Sequence, residues 1–520
     1  MANWEDYLEF LNNGPYSIKI LISDLVPKER IEFNQRIRVT KINYELYPFQ
    51  QRILNKIKDD TFIVGLPTGL GKTYIAGAFL LRETINDSKR ILFLTPSIPL
   101  GVQQTLFARK MLNVNSAYFI SGNIPPEKRR ILKVWNAGFI ITTPQTFYND
   151  FLLEYESEIK LAKSLDNTLE VLKNVLNFKF PFDIVVADEC HGYIGDTSGY
   201  SILLAAKAHG SKILALSATP QLHSPIRLRE LKKVFENIEV ISVEDVEIRS
   251  FVPKRMINIV NVNAPKELIL IYNKLMNIIN QYKEKIKEEY GRDHIKKYCK
   301  DHSICISFIA LKLLRIRIIE NGASSVTNYS IWRLRELSEI HDIYKKILNS
   351  NHKFSSVSDI LEMENYDKAI IFVESVMAAK QLGLMLQEKY GIENVAILVG
   401  KGEMDMEEQA STLIHFKERA KILITTSVGE EGLDIPTADL EIWLDPPSNP
   451  KKWIQRFGRV LRQTNKDKIA KIYTIITMGT HEKRKLIGVM KKVEKIYRFT
   501  HDVKDIKKLK GGQIRLTKYM

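Results

Sequence analysis

Apolar residues along this chain follow two rhythms, and the rhythm changes twice. Between residues 41 and 250, strand-length aliphatic runs at 61–66, 90–95, 138–143, 183–188, 213–217 and 238–243 are separated by stretches with helical spacing. Runs with so little polar alternation predict strands buried on both faces, and helices between them predict a parallel sheet covered on both sides. After Pro253 the strand signal stops. Leu268, Ile271, Leu275, Ile278, Tyr282 and Ile286 recur at three- and four-residue spacing, which predicts a helix opened by Pro265, running to Tyr290 and stopped by Gly291. Two more helices are predicted at about 303–321, ended by Gly322, and at about 329–349. Alternation resumes at Lys368, with strands predicted at 369–373, 395–398, 422–425, 440–444 and 470–476.

These rhythms divide the chain into a 1–40 segment of short mixed elements, an α/β domain over 41–250, a helical insertion over 251–349, a second parallel-sheet domain over 350–480 and a basic helix and tail over 481–520. A chain of 520 residues is too long for one core. Its 77 Lys and Arg against 61 Asp and Glu give a formal charge of +16, which favours polyanionic partners. The basic excess peaks in the tail, where Leu486, Val489, Val493 and Ile496 still mark a helical stripe. Three cysteines argue against a disulfide framework and for a reducing compartment. The first residues lack a basic n-region and an apolar core, and the richest apolar stretch, 304–319, is broken by Lys312, Arg315 and Arg317. A cytoplasmic, membrane-free, monomeric protein is therefore expected.

Two of the predicted strands end in chemistry. The first runs into Leu66-Pro67-Thr68-Gly69-Leu70-Gly71-Lys72-Thr73. Glycines there let backbone N–H groups approach phosphate oxygens, and the helix that follows turns its N-terminus to the anion. Lys72 supplies a charge for the β- and γ-phosphates and Thr73 a hydroxyl for Mg²⁺. The pattern departs from G-x-x-x-x-G-K-T at one place, where Leu66 occupies the first glycine position. The second strand ends in Asp188-Glu189-Cys190-His191. Asp188 falls at the carboxyl edge of the sheet, where it can share Mg²⁺ with Thr73, and Glu189 can orient or deprotonate an attacking water. ATP with Mg²⁺ is the expected cofactor.

Gly-Lys-Thr followed by Asp-Glu-x-His resembles the superfamily 2 helicases of the DExH type. Further segments are similar to that superfamily's motifs and stand in its order: Phe49-Gln50, Thr95-Pro96, Thr142-Thr143-Pro144-Gln145, Ser217-Ala218-Thr219, Phe372-Val373-Glu374-Ser375, Thr426 to Asp434, and Gln455-Arg456-Phe457-Gly458-Arg459-Val460-Leu461-Arg462. The resemblance covers about 45–465 and implies two RecA-like domains with ATP held between them. Within the superfamily, Gly122 to Arg129, Thr143 to Asp150, Thr426 to Pro436 and the helical insertion are similar to the archaeal Hef helicases and their FANCM relatives. The last motif departs from the usual G-R-T-G-R, reading Gly458-Arg459-Val460-Leu461-Arg462, an ending more like XPB-type or CRISPR-associated helicases. No nuclease motif is found after the second domain, so no nuclease is expected.

The resemblance implies roles residue by residue. Lys72, Thr73, Asp188 and Glu189 would come from one wall of the cleft, and Gln455, Arg459 and Arg462 from the other, the two arginines acting on the γ-phosphate. Gln50 would bind the adenine edge, Asp434 the ribose or the domain interface, and His191 would couple the ATP site to Ser217 and Thr219. Thr95, Pro96 and Thr143 in the first domain, and Ser375 and Thr426 in the second, would grip a nucleic-acid strand through its phosphates. Lysines of the insertion, among them Lys274, Lys283, Lys285 and Lys287, are candidates for duplex phosphates. At the carboxyl end, Gln513, Leu516 and Tyr519 are spaced as in peptides that bind a sliding clamp, with Met520 departing from the second aromatic. The implied function is an ATP-dependent DNA helicase or translocase on forked or branched DNA, 3′-to-5′. A CRISPR-associated or RNA helicase, and an ATP-gated duplex sensor of the RIG-I-like kind, are the alternatives.

Overall fold

A computed structural model describes residues 3–13, 24–66, 69–177, 179–218, 225–240, 255–290, 303–326, 334–348, 351–400, 402–429, 435, 438–460, 470–497, 503–506 and 516–518. Its frame is two sheets with helices packed on them. The first sheet holds β1 (Thr61–Gly65), β2 (Ile91–Leu94), β3 (Ala117–Ile120), β4 (Phe139–Thr142), β5 (Ile184–Ala187), β6 (Lys212–Ser217) and β7 (Asn237–Val240). They lie in the order β3-β4-β2-β5-β6-β1-β7, every pair parallel. Except on the edge strand β7, where Val240 is exposed, their aliphatic side chains are buried on both faces, as uninterrupted Ile, Val, Leu and Phe runs require. β3 goes beyond the predicted set. Its Ala-Tyr-Phe-Ile run is short and follows polar residues, so only tertiary pairing with β4 reveals it.

The second sheet contains β8 (Arg255–Val262), β9 (Ala369–Phe372), β10 (Val395–Leu398), β11 (Ile422–Thr425), β12 (Leu440–Trp443), β13 (Ala470–Thr477), β14 (Val503–Ile506) and β15 (Leu516–Lys518). The order is β10-β11-β9-β12-β13-β8-β14-β15, parallel except for the final pair. The chain is thus α/β with two RecA-like domains. β8 lies in the 251–349 segment read as helical, yet it pairs along its whole length with β13. Its partner is some two hundred residues away, and Asn258 and Asn261 interrupt its apolar run, so neither neighbours nor periodicity betray it. β14 and β15 likewise draw part of the basic tail into this sheet.

The helical insertion has its own core. Helices Lys266–Tyr290, Ser303–Glu320 and Ser338–Ile347 bury Leu268, Ile271, Leu275, Phe308, Leu311, Leu314, Ile340 and Tyr344 against one another. Buried Glu320, at the end of the second helix, ties this unit to the second domain. It accepts from His481 Nε2 at 2.9 Å and from Lys485 Nζ at 2.9 and 3.0 Å. Cys190 is a buried free thiol behind β5, and burial pushes its pKa up.

The amino-terminal segment does not stay with the first domain. Helix Trp4–Asn13 docks on the second: the hydroxyl of fully buried Tyr7 accepts from Ile397 N at 2.9 Å, Phe10 meets the His415 ring at 5.0 Å, and Lys380 lies 4.2 Å from the Trp4 ring centre. From Asp24 onward the chain packs on the first domain, with Asp24 O accepting from Arg109 and Ile37 exchanging backbone bonds with Lys89. The two domains are therefore linked at the amino terminus as well as between β7 and β8.

One buried acid in the second domain predicts a pH effect. Glu441, wholly buried on β12, accepts from Trp443 Nε1 at 2.9 Å through Oε2, while Oε1 has no hydrogen-bond partner. Burial raises its pKa to about 8, although Trp443, Arg456 and Arg459 pull the other way. Asp445, just past the same strand, is raised by burial to about 7. An acid with a higher pKa when folded holds its proton in the native state. Its stabilisation is full below the unfolded value, near about 4, and is lost as pH rises through the folded value. The second domain's melting temperature should therefore fall between about pH 4 and pH 8. Glu441→Gln, which mimics the protonated acid, should flatten the upper part of that slope; an unchanged slope by scanning calorimetry would clear Glu441 of the effect.

Candidate nucleotide and strand site

Strand order places the candidate chemistry side by side. β5, β6 and β1 are neighbours, with Gly65 paired to Ser217 and Ala187 to Ala215, so the phosphate loop and Asp188 flank Ser217 at one carboxyl edge. β2 and β4 continue that edge, bringing Thr95 and Thr143 into the same row. Functional loops at the carboxyl ends of adjacent parallel strands are where α/β sheets hold ligands.

The loop after β1 opens with buried Leu66, whose N–H donates to Ser217 O at 2.9 Å. Pro67 and Thr68 lie outside the described residues. Gly69 and Gly71 have φ of +89° and +79°, left-handed values that a side chain disfavours. At Gly71 a Cβ would also lie 2.5 Å from Gln50 Nε2, so the loop accepts no side chain there. Helix Lys72–Thr84 follows directly. Lys72 is 8% exposed, and its Nζ has no hydrogen-bond partner, only an ion pair with Glu189 Oε1 at 3.4 Å. A buried ammonium without hydrogen bonds, beside a glycine-lined turn, fits an anionic ligand such as the phosphates of ATP.

Gln50 faces the phosphate loop. Buried in helix Pro48–Lys56, it donates through Nε2 to Leu70 O at 2.9 Å and accepts through Oε1 from Tyr47 N at 3.0 Å. Both ends of the amide brace the phosphate loop.

The carboxylates face this loop. Asp188 Oδ1 accepts from Glu189 N at 2.9 Å, and Oδ2 accepts from Gln104 Nε2 at 3.1 Å; the same nitrogen lies 3.4 Å from Thr73 Oγ1. Thr73 and Asp188 are thus joined through one amide and offer hard oxygen donors, the type Mg²⁺ takes from a protein together with substrate phosphates. Glu189 turns back with φ of +49° and is buried with Lys72 and His191. Burial alone would raise its carboxyl; Lys72, His191 and Arg459 more than offset that and hold it well below the usual range. His191 Nδ1 lies 3.3 Å from Glu189 Oε2 and 3.2 Å from Ser217 Oγ, forming a relay from the acid to the end of β6. Thr219 lies outside the described residues.

The second domain closes the far wall. Helix Pro450–Phe457 carries buried Gln455, and Arg459 in the following turn is buried within electrostatic range of both Glu189 and Glu441. Arg456 braces the wall instead. It donates to Asp445 O at 2.8 Å and Glu374 Oε1 at 3.1 Å, fixing this helix to β9 and β12. Arg462 and Asp434 fall outside the described residues.

Of the strand-gripping candidates, Pro96 is exposed, while Thr143 and Ser375 are half-buried. Thr143 shares a 2.9 Å hydroxyl contact with Thr146, and Ser375 caps helix Val376–Tyr390. Thr95 and Thr426 are buried, Thr95 with its hydroxyl turned to Ser97 O at 3.4 Å. Ser375 opens onto a cavity of about 980 Å³ between the insertion and the second domain, lined also by Arg317, Lys380, Arg484 and Lys485. On the insertion, Lys274 is paired with Glu339 and Lys287 with Glu284, while Lys283 and Lys285 are exposed. Gln513 and Tyr519 lie outside the described residues, and Leu516 begins β15. No helix among the described residues is long and apolar enough to cross a membrane.

Sequence reasoning passed over Gln104. It sits mid-helix in Ile98–Met111 with no motif of its own, and only the fold brings it to the carboxylate edge.

Comparison with known proteins agrees with this geometry. The model of the type III restriction enzyme res subunit matches residues 43–222, and that of the helicase conserved C-terminal domain matches 352–464. The ATP-dependent DNA helicase fml1 of Schizosaccharomyces pombe is 24% identical over 85% of this chain. A Methanocaldococcus jannaschii protein that bears the name of an ATP-dependent RNA helicase is 28% identical over 83% of it. The chain spans 58% of the length of each of these two relatives. The crystal structure of the Pyrococcus furiosus Hef helicase domain shares the fold, with a TM-score of 0.53 at 20% identity, covering 85% of this chain and 97% of that one. One family model on each sheet, this shared fold and the ordered motifs at the sheet edges together support a superfamily 2 helicase of the Hef/FANCM type.

Proposed function

We propose that this chain is an ATP-driven DNA helicase or translocase that works on forked or branched DNA, moving 3′-to-5′, in repair or fork processing. The observation that carries the reading is the convergence of Lys72, Thr73, Asp188 and Glu189 at one sheet edge, with Lys72 Nζ 3.4 Å from Glu189 Oε1 and Gln104 Nε2 joining Thr73 to Asp188, and with Arg459 of the second domain within electrostatic range of Glu189. ATP would lie between them, with Lys72 on its β- and γ-phosphates. Thr73 and Asp188 would hold Mg²⁺, which when bound neutralises charge on the phosphates. Glu189, kept ionised, would orient and deprotonate the attacking water. Arg459, with Arg462, would neutralise charge on the transferring phosphoryl group, with Gln455 on the same wall. Gln50 would hold the loop in shape, and Asp434 would serve the ribose or the domain interface.

Because the two walls sit on separate domains, turnover requires their closure, and reopening shifts one strand grip against the other. Pro96, Thr143 and Ser375, with the strand ends at Thr95 and Thr426, would provide those grips through phosphate contacts. His191, Ser217 and Thr219 would pass the state of the ATP site to them. The exposed Lys283 and Lys285 suit duplex ahead of the motor.

Strand displacement tests the reading. A DNA fork should be opened with ATP, and neither a matched RNA fork nor a blunt duplex should be opened as fast. Faster opening of the RNA fork would establish the RNA reading, which the name of the Methanocaldococcus jannaschii relative favours. ATP hydrolysis stimulated by duplex, with no displacement of any substrate, would replace the motor with a sensor.

A further inference from the structure

Gln104 is a buried amide whose position the motifs do not explain. It is 5% exposed, on the inward side of helix Ile98–Met111. Its Nε2 reaches Thr73 Oγ1 at 3.4 Å and Asp188 Oδ2 at 3.1 Å, and its Oε1 is buried with no hydrogen-bond partner. An amide nitrogen has two hydrogens, one for each oxygen, and each oxygen keeps a lone pair after accepting. A buried carbonyl oxygen left unpaired carries a desolvation cost, and a water held by a metal ion is a strong donor for it.

The helix itself is held from both sides. Gly101 approaches so closely that a Cβ there would sit 2.0 Å from the Phe119 ring. One turn on from Gln104, Phe107 packs edge-on against Tyr74, the residue after Thr73, at 5.6 Å and 90°. Tyr44 meets the same Tyr74 ring at 4.7 Å and donates its hydroxyl hydrogen to Tyr74 O at 2.7 Å. The Gln104 amide therefore sits on a rigid support, and the helix carrying Thr73 is locked to it.

We propose that Gln104 is the positioning residue that fixes the spacing of Thr73 and Asp188 for Mg²⁺, with its Oε1 accepting from a metal-held water. The proposal rests on the ATP reading above. Simple packing would not account for an amide whose two donor contacts are both candidate metal-site oxygens and whose acceptor is left open.

The test uses the full chain and a fluorescent ATP analogue, titrated in EDTA and in Mg²⁺. Partners just outside a metal's own ligands typically change metal affinity by about 10–100-fold when removed. Gln104→Leu should therefore leave affinity in EDTA within about twofold of the unaltered protein and cut the Mg²⁺-dependent gain by about 10-fold. The Mg²⁺ concentration for half-saturation at fixed nucleotide should rise correspondingly. Gln104→Met, which keeps length and volume without the donors, should behave the same, and it serves if the leucine variant melts early. Retention of the full Mg²⁺ gain by either folded variant, or equal loss in EDTA and in Mg²⁺, would overturn the proposal. If the unaltered protein binds no analogue in either buffer, the ATP reading itself fails, a result distinct from the first.

Discussion

Arg459→Ala should bind ATP about as tightly as the unaltered protein and lose steady-state hydrolysis by about 10³–10⁵-fold. The expectation follows from where the arginine stands. It belongs to the second domain, in the turn after helix Pro450–Phe457, yet its charge helps to keep Glu189 of the first domain ionised. Lys72 and the glycine-lined turn, which would hold the ground-state phosphates, are untouched by the change. A charge supplied from the opposite wall matters most when negative charge builds on the transferring group, so its removal should appear in the chemical step and not in binding. Single-turnover hydrolysis alongside nucleotide titration separates the two. Arg459 also lies near buried Glu441, so a melting curve must accompany the assay. A variant that melts well below the parent, or one that hydrolyses ATP at the parental rate, would make Arg459 a structural residue of the second domain.

The sequence was legible wherever a local pattern carried the physics. The strands that support the phosphate loop and the Asp-Glu pair are continuous aliphatic runs, and observed β1, β2, β4, β5 and β6 fall within a residue or so of the expected spans. Lys72, Thr73, Asp188 and Glu189 converge as their motifs require, because β5, β6 and β1 are adjacent. What escaped was long-range. β8 looks like the start of the helical insertion until β13, two hundred residues on, claims it. The dock of helix Trp4–Asn13 on the second domain depends on Tyr7 meeting Ile397, a pairing that no local signal announces. Gln50 illustrates a subtler limit. The motif identifies a glutamine beside the nucleotide pocket, but only the fold shows its amide spent on Leu70 and Tyr47. Gln104 is the same lesson in reverse, an ordinary helical residue until tertiary packing sets it between two oxygens.

These placements bear on how the domains move together. The second domain is joined to the insertion by buried Glu320 and carries the amino-terminal helix on its flank. A closing motion would take the insertion and that helix with it, while the 24–56 region stays with the first sheet. The insertion, with its exposed Lys283 and Lys285, would then travel with the second domain.

Glu189→Gln should separate binding from turnover on the other wall. The substitution keeps the side chain's size and removes the charge that faces Lys72 at 3.4 Å. Lys72, freed from that pair, should hold the β- and γ-phosphates at least as well as before, so nucleotide affinity should be retained or increased. Hydrolysis should fall by about 10²–10⁴-fold, the range for loss of a positioned general base. Lys72→Ala is the complementary change, since it removes the buried cation beside the glycine-lined turn, and it should weaken binding itself. His191 sharpens the distinction. Its ring stands between Glu189 and Ser217, so a glutamine in place of the acid still offers an oxygen to that ring and should spare the fold. If Glu189→Gln hydrolyses ATP at the parental rate, Glu189 is no base and its depressed pKa merely records a buried ion pair. If it instead loses nucleotide affinity together with melting temperature, the Lys72–Glu189 contact is scaffolding. Tight binding with a stalled chemical step is the outcome that the present geometry requires.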